Sequence, residues 1–189
     1  VCDRGPGVPP EAAVGAIRSG EILNLINRQQ VHGGDTILIH PGMIHALGPN
    51  LLIYEVQQSS DITYRVYDWG RPPSDGRPLH IEKSVEVVKP ALTCRLEKYQ
   101  PKSAEERHVL TRSEHFILEE LVTQGQPVAL TTGNKTFHAL TVIEGAYDLL
   151  VGGESLHLNQ FETALVPSAC NDYTVTAQQA GRLLLARLP

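Results

Sequence analysis

The stretch at 34–69, GDTILIHPGMIHALGPNLLIYEVQQSSDITYRVYDW, decides how the rest of the chain is read. It opens on Gly-Asp, runs through an apolar segment, turns at Pro41-Gly42 and arrives at His45. Proline presets φ and glycine accepts a positive φ, so this pair fixes a tight turn. A histidine just beyond a rigid turn is held where side chains from neighbouring strands can meet it. The segments that follow alternate in polarity and read as strands. A period of two puts Ile53, Glu55 and Gln57 on one face and Tyr54, Val56 and Gln58 on the other. Farther on, Thr63, Arg65 and Tyr67 share a face.

Upstream, EAAVGAIRSGEILNLINR at 11–28 is the one convincing helical stretch, with Val14, Ile17, Ile22, Leu25 and Ile26 near helical spacing. Ser19-Gly20 is expected to break it into two short helices. From Val31 onward the pattern is strand and turn. TILIH, NLLIYEVQQ, ITYRVYDW, SVEVV, LTCRLEKYQ, HFILEELV, VALTT, HALTVIEG, YDLLVGG, ESLHL, ETALVP, DYTVTA and GRLLLARL are short, β-rich and bounded by Gly, Pro, Asn and Asp. Such spacing predicts a sandwich or barrel. A proline-rich link, GRPPSDGRP at 70–78, interrupts the series, and KPALTC at 89–94 opens a second unit. The expected division is a helical segment at 1–30, a partial β-barrel at 31–88 and a complete small barrel at 89–189.

The second unit partly repeats the first. TILIHPGMIH (36–45) aligns with ETALVPSACN (162–171), so that Pro41 falls on Pro167 and His45 on Asn171. In each copy a strand delivers the chain to a fixed turn whose last residue points back to the barrel mouth. One presents an imidazole there, the other an amide.

Composition narrows the function. The 189 residues are 41% hydrophobic and 20% charged with a net charge of −5, an ordinary soluble profile. No Lys/Arg cluster offers a nucleic-acid footprint. No apolar run approaches the ~20 residues of a membrane-spanning helix. Cys2, Cys94 and Cys170 form no CxxC pair, which suits a reducing, cytoplasmic setting. The chain begins on Val1 in a turn-rich DRGPGVPP segment and is expected to be a piece of a longer protein.

A Gly-Asp, a strand, a Pro-Gly turn and then a histidine resemble the second motif of cupins, the double-stranded β-helix family. The longer string, GDTILIHPGMIHALG followed by EVQQSSDITYRVYDWGRP and LHIEKSVEVV, resembles type I mannose-6-phosphate isomerases over roughly 31–90. The resemblance implies a mainly β fold with a catalytic cupin, a helical insertion and a second, non-catalytic cupin. It implies a zinc-dependent aldose–ketose isomerase acting on a phosphosugar. The family's other zinc ligands lie upstream of anything matched here, so this chain is expected to supply its C-terminal portion and one ligand. In the second unit TTGNKTFHALTVIEG (131–145) stands where the first cupin motif would, with His138 in place of its glutamate and Thr131–Asn134 in place of its histidines. That unit is expected to have lost its metal site.

Within this frame His45 is the metal ligand, since zinc takes neutral imidazole nitrogen. Glu55 is the candidate base, because a carboxylate facing an enclosed barrel is costly unless paired or near a cation. Gln57 shares its face and is placed to bond a sugar hydroxyl. Arg65 offers a planar fork of donors for a phosphate or an enediolate oxygen. Its structural alternative is an arginine tied to Asp61 or Asp68. His40, His32, His80, His108, His115, His138 and His157 have no ligand-like spacing, and Cys170 reads as a core thiol. Another metal cupin would share the fold and the turn histidine. A non-enzymatic sugar-binding module would equally explain the empty second unit.

Overall fold

The computed structural model describes residues 8–60, 62–72, 74 and 77–189. They fall into two compact units: the described residues of Val1–Tyr54 with Ser59–Tyr99, and Glu55–Gln58 with Gln100–Pro189.

The first unit is built on helix α1, Pro10–Ser19. Ala13, Ala16 and Ile17 recur at helical spacing and are buried. Gly20 ends the helix in the left-handed region at φ 76°, as the Ser19-Gly20 pair predicts. A 3-10 turn, Ile22–Asn24, follows. Ala16, Ile17 and Ile22 form a small core, against which Ile44, Val66, Tyr67, Ile81, Val85 and Val88 pack.

The expected strand SVEVV is instead part of helix α2, Ile81–Val87. Ile81, Val85 and Val88 reach the core at spacings of four and three, while Glu82, Lys83 and Glu86 are exposed. The apolar period is therefore helical, and the β-branched residues misled the sequence reading. The Ser84 hydroxyl donates to the His80 carbonyl at 2.7 Å, securing the first turn.

The ladder of this unit is short. Strand β1, Thr36–Ile37, pairs antiparallel with β2, Leu96–Glu97. Gly34 precedes it at φ 89°, and a Cβ there would lie 2.6 Å from the Tyr99 ring. Of the expected LTCRLEKYQ strand only β2 pairs, and NLLIYEVQQ and ITYRVYDW form no ladder among the described residues. Alternation alone does not make a strand, because its backbone groups need a neighbour to bond. The alternation itself is present: Ile53, Glu55 and Gln57 are exposed, while Tyr54, Val56 and Gln58 are half-buried.

The second unit is an antiparallel two-sheet sandwich. Its strands are β3 (Glu106–Arg112), β4 (Ile117–Gln124), β5 (Val128–Thr131), β6 (His138–Glu144), β7 (Tyr147–Val151), β8 (Glu154–Leu158), β9 (Thr163–Val166), β10 (Asp172–Ala177) and β11 (Ala180–Arg187). One sheet runs β3-β4-β11-β6-β9 and the other β5-β10-β7-β8. A single buried cluster takes Leu121, Leu140, Leu183 and Val166 from the first and Leu130, Tyr147, Leu149 and Val175 from the second. β10 shows the cause: Tyr173, Val175 and Ala177 are buried while the residues between them are less so. The chain is mainly β, with the sandwich of a double-stranded β-helix. Strand β3 was not foreseen, because an edge strand needs little apolar surface and ERHVLTR reads as polar.

Candidate functional site

The Pro-Gly turn is built as the sequence requires. The Met43 N–H donates to the His40 carbonyl at 3.0 Å, closing a turn with Pro41 and Gly42 at its centre. Gly42 sits at φ 87°, and a Cβ there would lie 2.6 Å from the Val87 carbonyl oxygen at the end of α2. The Lys89 N–H donates to the Gly42 carbonyl at 2.9 Å, tying the turn to α2. Met43 is buried and Ile44 packs on the small core, so His45 leaves a well-anchored segment and is itself exposed.

His45 Nδ1 lies 3.1 Å from the Met43 carbonyl oxygen. A carbonyl can only accept, so Nδ1 carries the proton and the neutral ring keeps its Nε2 lone pair free. This is the tautomer a metal ligand needs. The fit goes no further than one donor. A zinc centre takes three or four protein ligands, and no group of three His, Cys, Asp or Glu side chains among the described residues is placed to hold a metal.

Arg65 belongs to the same unit, and its backbone is clamped from both sides. Its N–H donates to His80 Nδ1 at 3.2 Å, and the His80 N–H donates to the Arg65 carbonyl at 2.8 Å. The Tyr64 and His80 rings lie 5.9 Å apart, and Val66 packs on the core that also holds Ile44. His45 and Arg65 thus each neighbour an anchor in one apolar cluster. The Arg65 guanidinium, half-buried, has no hydrogen-bond or ion-pair partner among the described residues. Asp68 is engaged by Arg77 at 3.8 Å, and Asp61 lies outside the described residues.

Glu55 and Gln57 lie together on the exposed side of their segment, and neither side chain bonds a described residue. Glu55 is open to solvent, so the enclosed setting expected for it is not found. The sequence reading missed the His80 clamp on Arg65 and the role of α2 behind the turn. The helical spacing of Ile81, Val85 and Val88 was the available signal.

Four observations converge here: a Pro-Gly turn, an imidazole with a free Nε2, an arginine with unspent donors, and a cupin sandwich beside them in sequence. Known proteins are similar to this chain in sequence and in fold. Mannose-6-phosphate isomerase ManA of Bacillus subtilis is 37% identical over 109 residues, 57% of this chain and 30% of its own length. YvyI of the same organism is 31% identical over 166 residues, 84% of this chain and 51% of its own. The crystal structure of the mannose 6-phosphate isomerase from Bacillus subtilis superposes on 98% of this chain with a TM-score of 0.78 and 26% identity. The chain is similar to mannose-6-phosphate isomerases over most of its own length. It spans 51% of YvyI and 58% of the mannose 6-phosphate isomerase structure. No protein-family model matches it. Among the described residues, no helix is long and apolar enough to cross a membrane.

Proposed function

We propose that this chain forms part of a zinc-dependent isomerase that interconverts mannose 6-phosphate and fructose 6-phosphate in the cytoplasm. The observation that carries the reading is Arg65: a guanidinium with free donors, on a backbone clamped by His80, in a chain similar to mannose-6-phosphate isomerases. Fixed donors aimed at developing charge contribute more than flexible ones, because they need no reorganisation during the reaction.

His45 is the ligand this chain offers to zinc, with the remaining donors coming from outside the described residues. When bound, zinc would supply Lewis-acid stabilisation to sugar oxygens. Glu55 acts as base. It takes the proton from C2 of the aldose and returns it to C1 of the cis-enediol, while a proton passes from the C2 oxygen to the C1 oxygen. Atoms balance, and the sugar leaves as the 2-ketose. Arg65 donates to the oxygen that carries negative charge between the two transfers, and Gln57 bonds a sugar hydroxyl.

The test is conversion of mannose 6-phosphate by the zinc-loaded protein carrying this chain, with His45→Asn alongside. The wild type should turn over, and the variant should lose both metal and turnover. A wild type that binds the sugar without converting it would make this a sugar-binding module. Conversion of some other substrate alone would make it a different metal cupin.

A further inference from the structure

The second unit, read from sequence as an emptied cupin, is not polar-free inside. Counting in twos from core residues, Glu119 on β4 faces inward with Leu121, Arg187 on β11 with Leu185, and His138 on β6 with Leu140. The register gathers them at one end, since Arg187 stands opposite both Ile117 and His138. His138 Nδ1 and the Tyr173 hydroxyl are 2.6 Å apart, which brings β10 to the same end. Glu119, His138 and Tyr173 are 5%, 2% and 3% exposed. The opposite end holds the hydroxyl pair of Thr123 and Tyr147, 2.8 Å apart.

Charge at the polar end is unbalanced. Glu119 accepts from Arg187 Nε at 2.9 Å, while Arg107 on β3 reaches it only at 3.7 Å. Two guanidinium groups thus share one carboxylate, and Arg107 keeps most of its donors. Burial pushes His138 down, with Arg107 and Arg187 adding to the shift and Glu119 opposing it, so the imidazole is neutral at pH 7. Next to this cluster lies an open cavity of about 470 Å³, lined by Arg107, Thr131, Tyr173, Asp172 and the Gly152-Gly153 turn. That size falls in the range of small-molecule sites.

We propose that this cavity is a binding site for a small molecule bearing one phosphate or carboxylate group, received by Arg107. A guanidinium at the wall of a partly buried pocket matches an oxyanion in charge and in geometry. Asp172, which also lines the cavity, disfavours ligands with more than one anionic group. The proposal does not depend on the isomerase reading, because the residues all lie in the second unit.

The experiment is calorimetric titration of the protein with inorganic phosphate and, separately, with acetate, against chloride at equal ionic strength. An Arg65→Ala background removes any anion bound at that arginine. Saturable binding of at least one anion, one per chain, is expected. Arg107→Ala should weaken it about 10- to 100-fold, the usual weight of a hydrogen bond to a charged group. Arg107→Lys should weaken it less. Arg107 is partly exposed, so these variants should fold, and circular dichroism checks that they do. Equal binding by the Arg107→Ala protein, or no saturable binding of either anion, would overturn the proposal.

Discussion

The turn at 40–45 and the turn at 167–171 use one backbone device for opposite ends. Both run from a strand through proline to a polar side chain. In the first, Gly42 at φ 87° lets the turn close against the end of α2, and His45 spends only Nδ1, on a local carbonyl. In the second, Pro167 leads a 3-10 turn, Ser168–Cys170, into Asn171 at φ 52°. Asn171 Oδ1 accepts from the Thr131 hydroxyl at 3.3 Å, and its carbonyl accepts from the Thr132 N–H at 2.8 Å. The first turn keeps a donor atom for something outside its fold; the second commits its amide to the end of β5. The arginines divide likewise. Arg65 has no partner among the described residues, whereas Arg182 and Arg187 are bound to buried carboxylates. Unspent polar groups mark the candidate site, and committed ones mark the framework.

Removing a committed arginine should have the largest effect. Glu120 is 1% exposed, and Arg182 Nε donates to its Oε1 at 2.6 Å. Arg182→Ala leaves that carboxylate buried without its cation, which typically costs about 3–5 kcal/mol. Hydrogen exchange along β4 and β11 should accelerate accordingly. Protection unchanged in both strands would show Glu120 to be solvated more easily than its burial implies. Glu120→Met with Arg182→Met, replacing the pair by apolar volume, should recover most of the loss.

Arg65→Ala should do the reverse, sparing stability and reducing turnover. Losing one preorganised donor in the transition state should cost about 2–4 kcal/mol in kcat. Arg65→Lys should restore part of it, since an ammonium keeps the charge and loses the fork. Melting temperature and kcat measured on one preparation separate this from a structural role. A destabilised variant with normal kcat would move Arg65 into the framework class. His80→Ala should lie between the two, lowering kcat through a loosened Arg65 backbone while the guanidinium remains.

These contrasts show what sequence could and could not reveal. The second unit was legible strand by strand from β4 to β11, because alternation such as that of Tyr173, Val175 and Ala177 maps directly onto a half-buried sheet. The Pro41-Gly42 turn was legible because only a few residue types accept its dihedrals. In the first unit the same alternation at 53–58 produced no ladder, since pairing depends on a neighbour that local sequence does not specify. Helix α2 was misread because SVEVV is rich in β-branched residues, and its helical face emerges only when Ile81 and Val88 are counted with Val85. Arg65 and His45 were legible as candidates, but the His80 clamp joins positions fifteen residues apart through a backbone contact that no spacing rule anticipates.

Gly42→Ala tests whether the first turn holds His45 by backbone strain avoidance and close approach to α2. A non-glycine residue in the left-handed region costs about 1–2 kcal/mol, and the Val87 carbonyl leaves its Cβ no room. The turn should loosen, lowering the melting temperature modestly and weakening metal retention at His45. The matching change in the second unit, Ser168→Ala, should leave the melting temperature almost unaltered, because the Ser168 backbone, not its hydroxyl, accepts from Thr132 Oγ1 at 2.7 Å. Equal loss from both substitutions would erase the distinction between the two turns.

The smallest effect is confined to acid and sits at the entry to the first turn. Asp35 accepts from Lys98 Nζ at 2.9 Å, from the Tyr99 N–H at 3.0 Å and from the His32 N–H at 2.9 Å. The Lys98 bond above all, then the two backbone N–H groups, hold its carboxyl well below the ordinary range. A carboxylate whose pKa is lower folded than unfolded contributes stability that is fully present above the unfolded value, about 3.9. That contribution fades as pH falls toward the folded value. The β1–β2 pairing should therefore be indifferent to pH between neutrality and mild acid and weaken below about pH 4. Asp35→Asn should flatten this acid dependence, because an amide keeps one acceptor oxygen but does not titrate. Hydrogen exchange of the Ile37 and Leu96 amides across an acid series reads it directly. If Asp35→Asn and wild type lose protection in parallel, the acid sensitivity belongs to another carboxylate, and Asp35 serves the turn only through geometry.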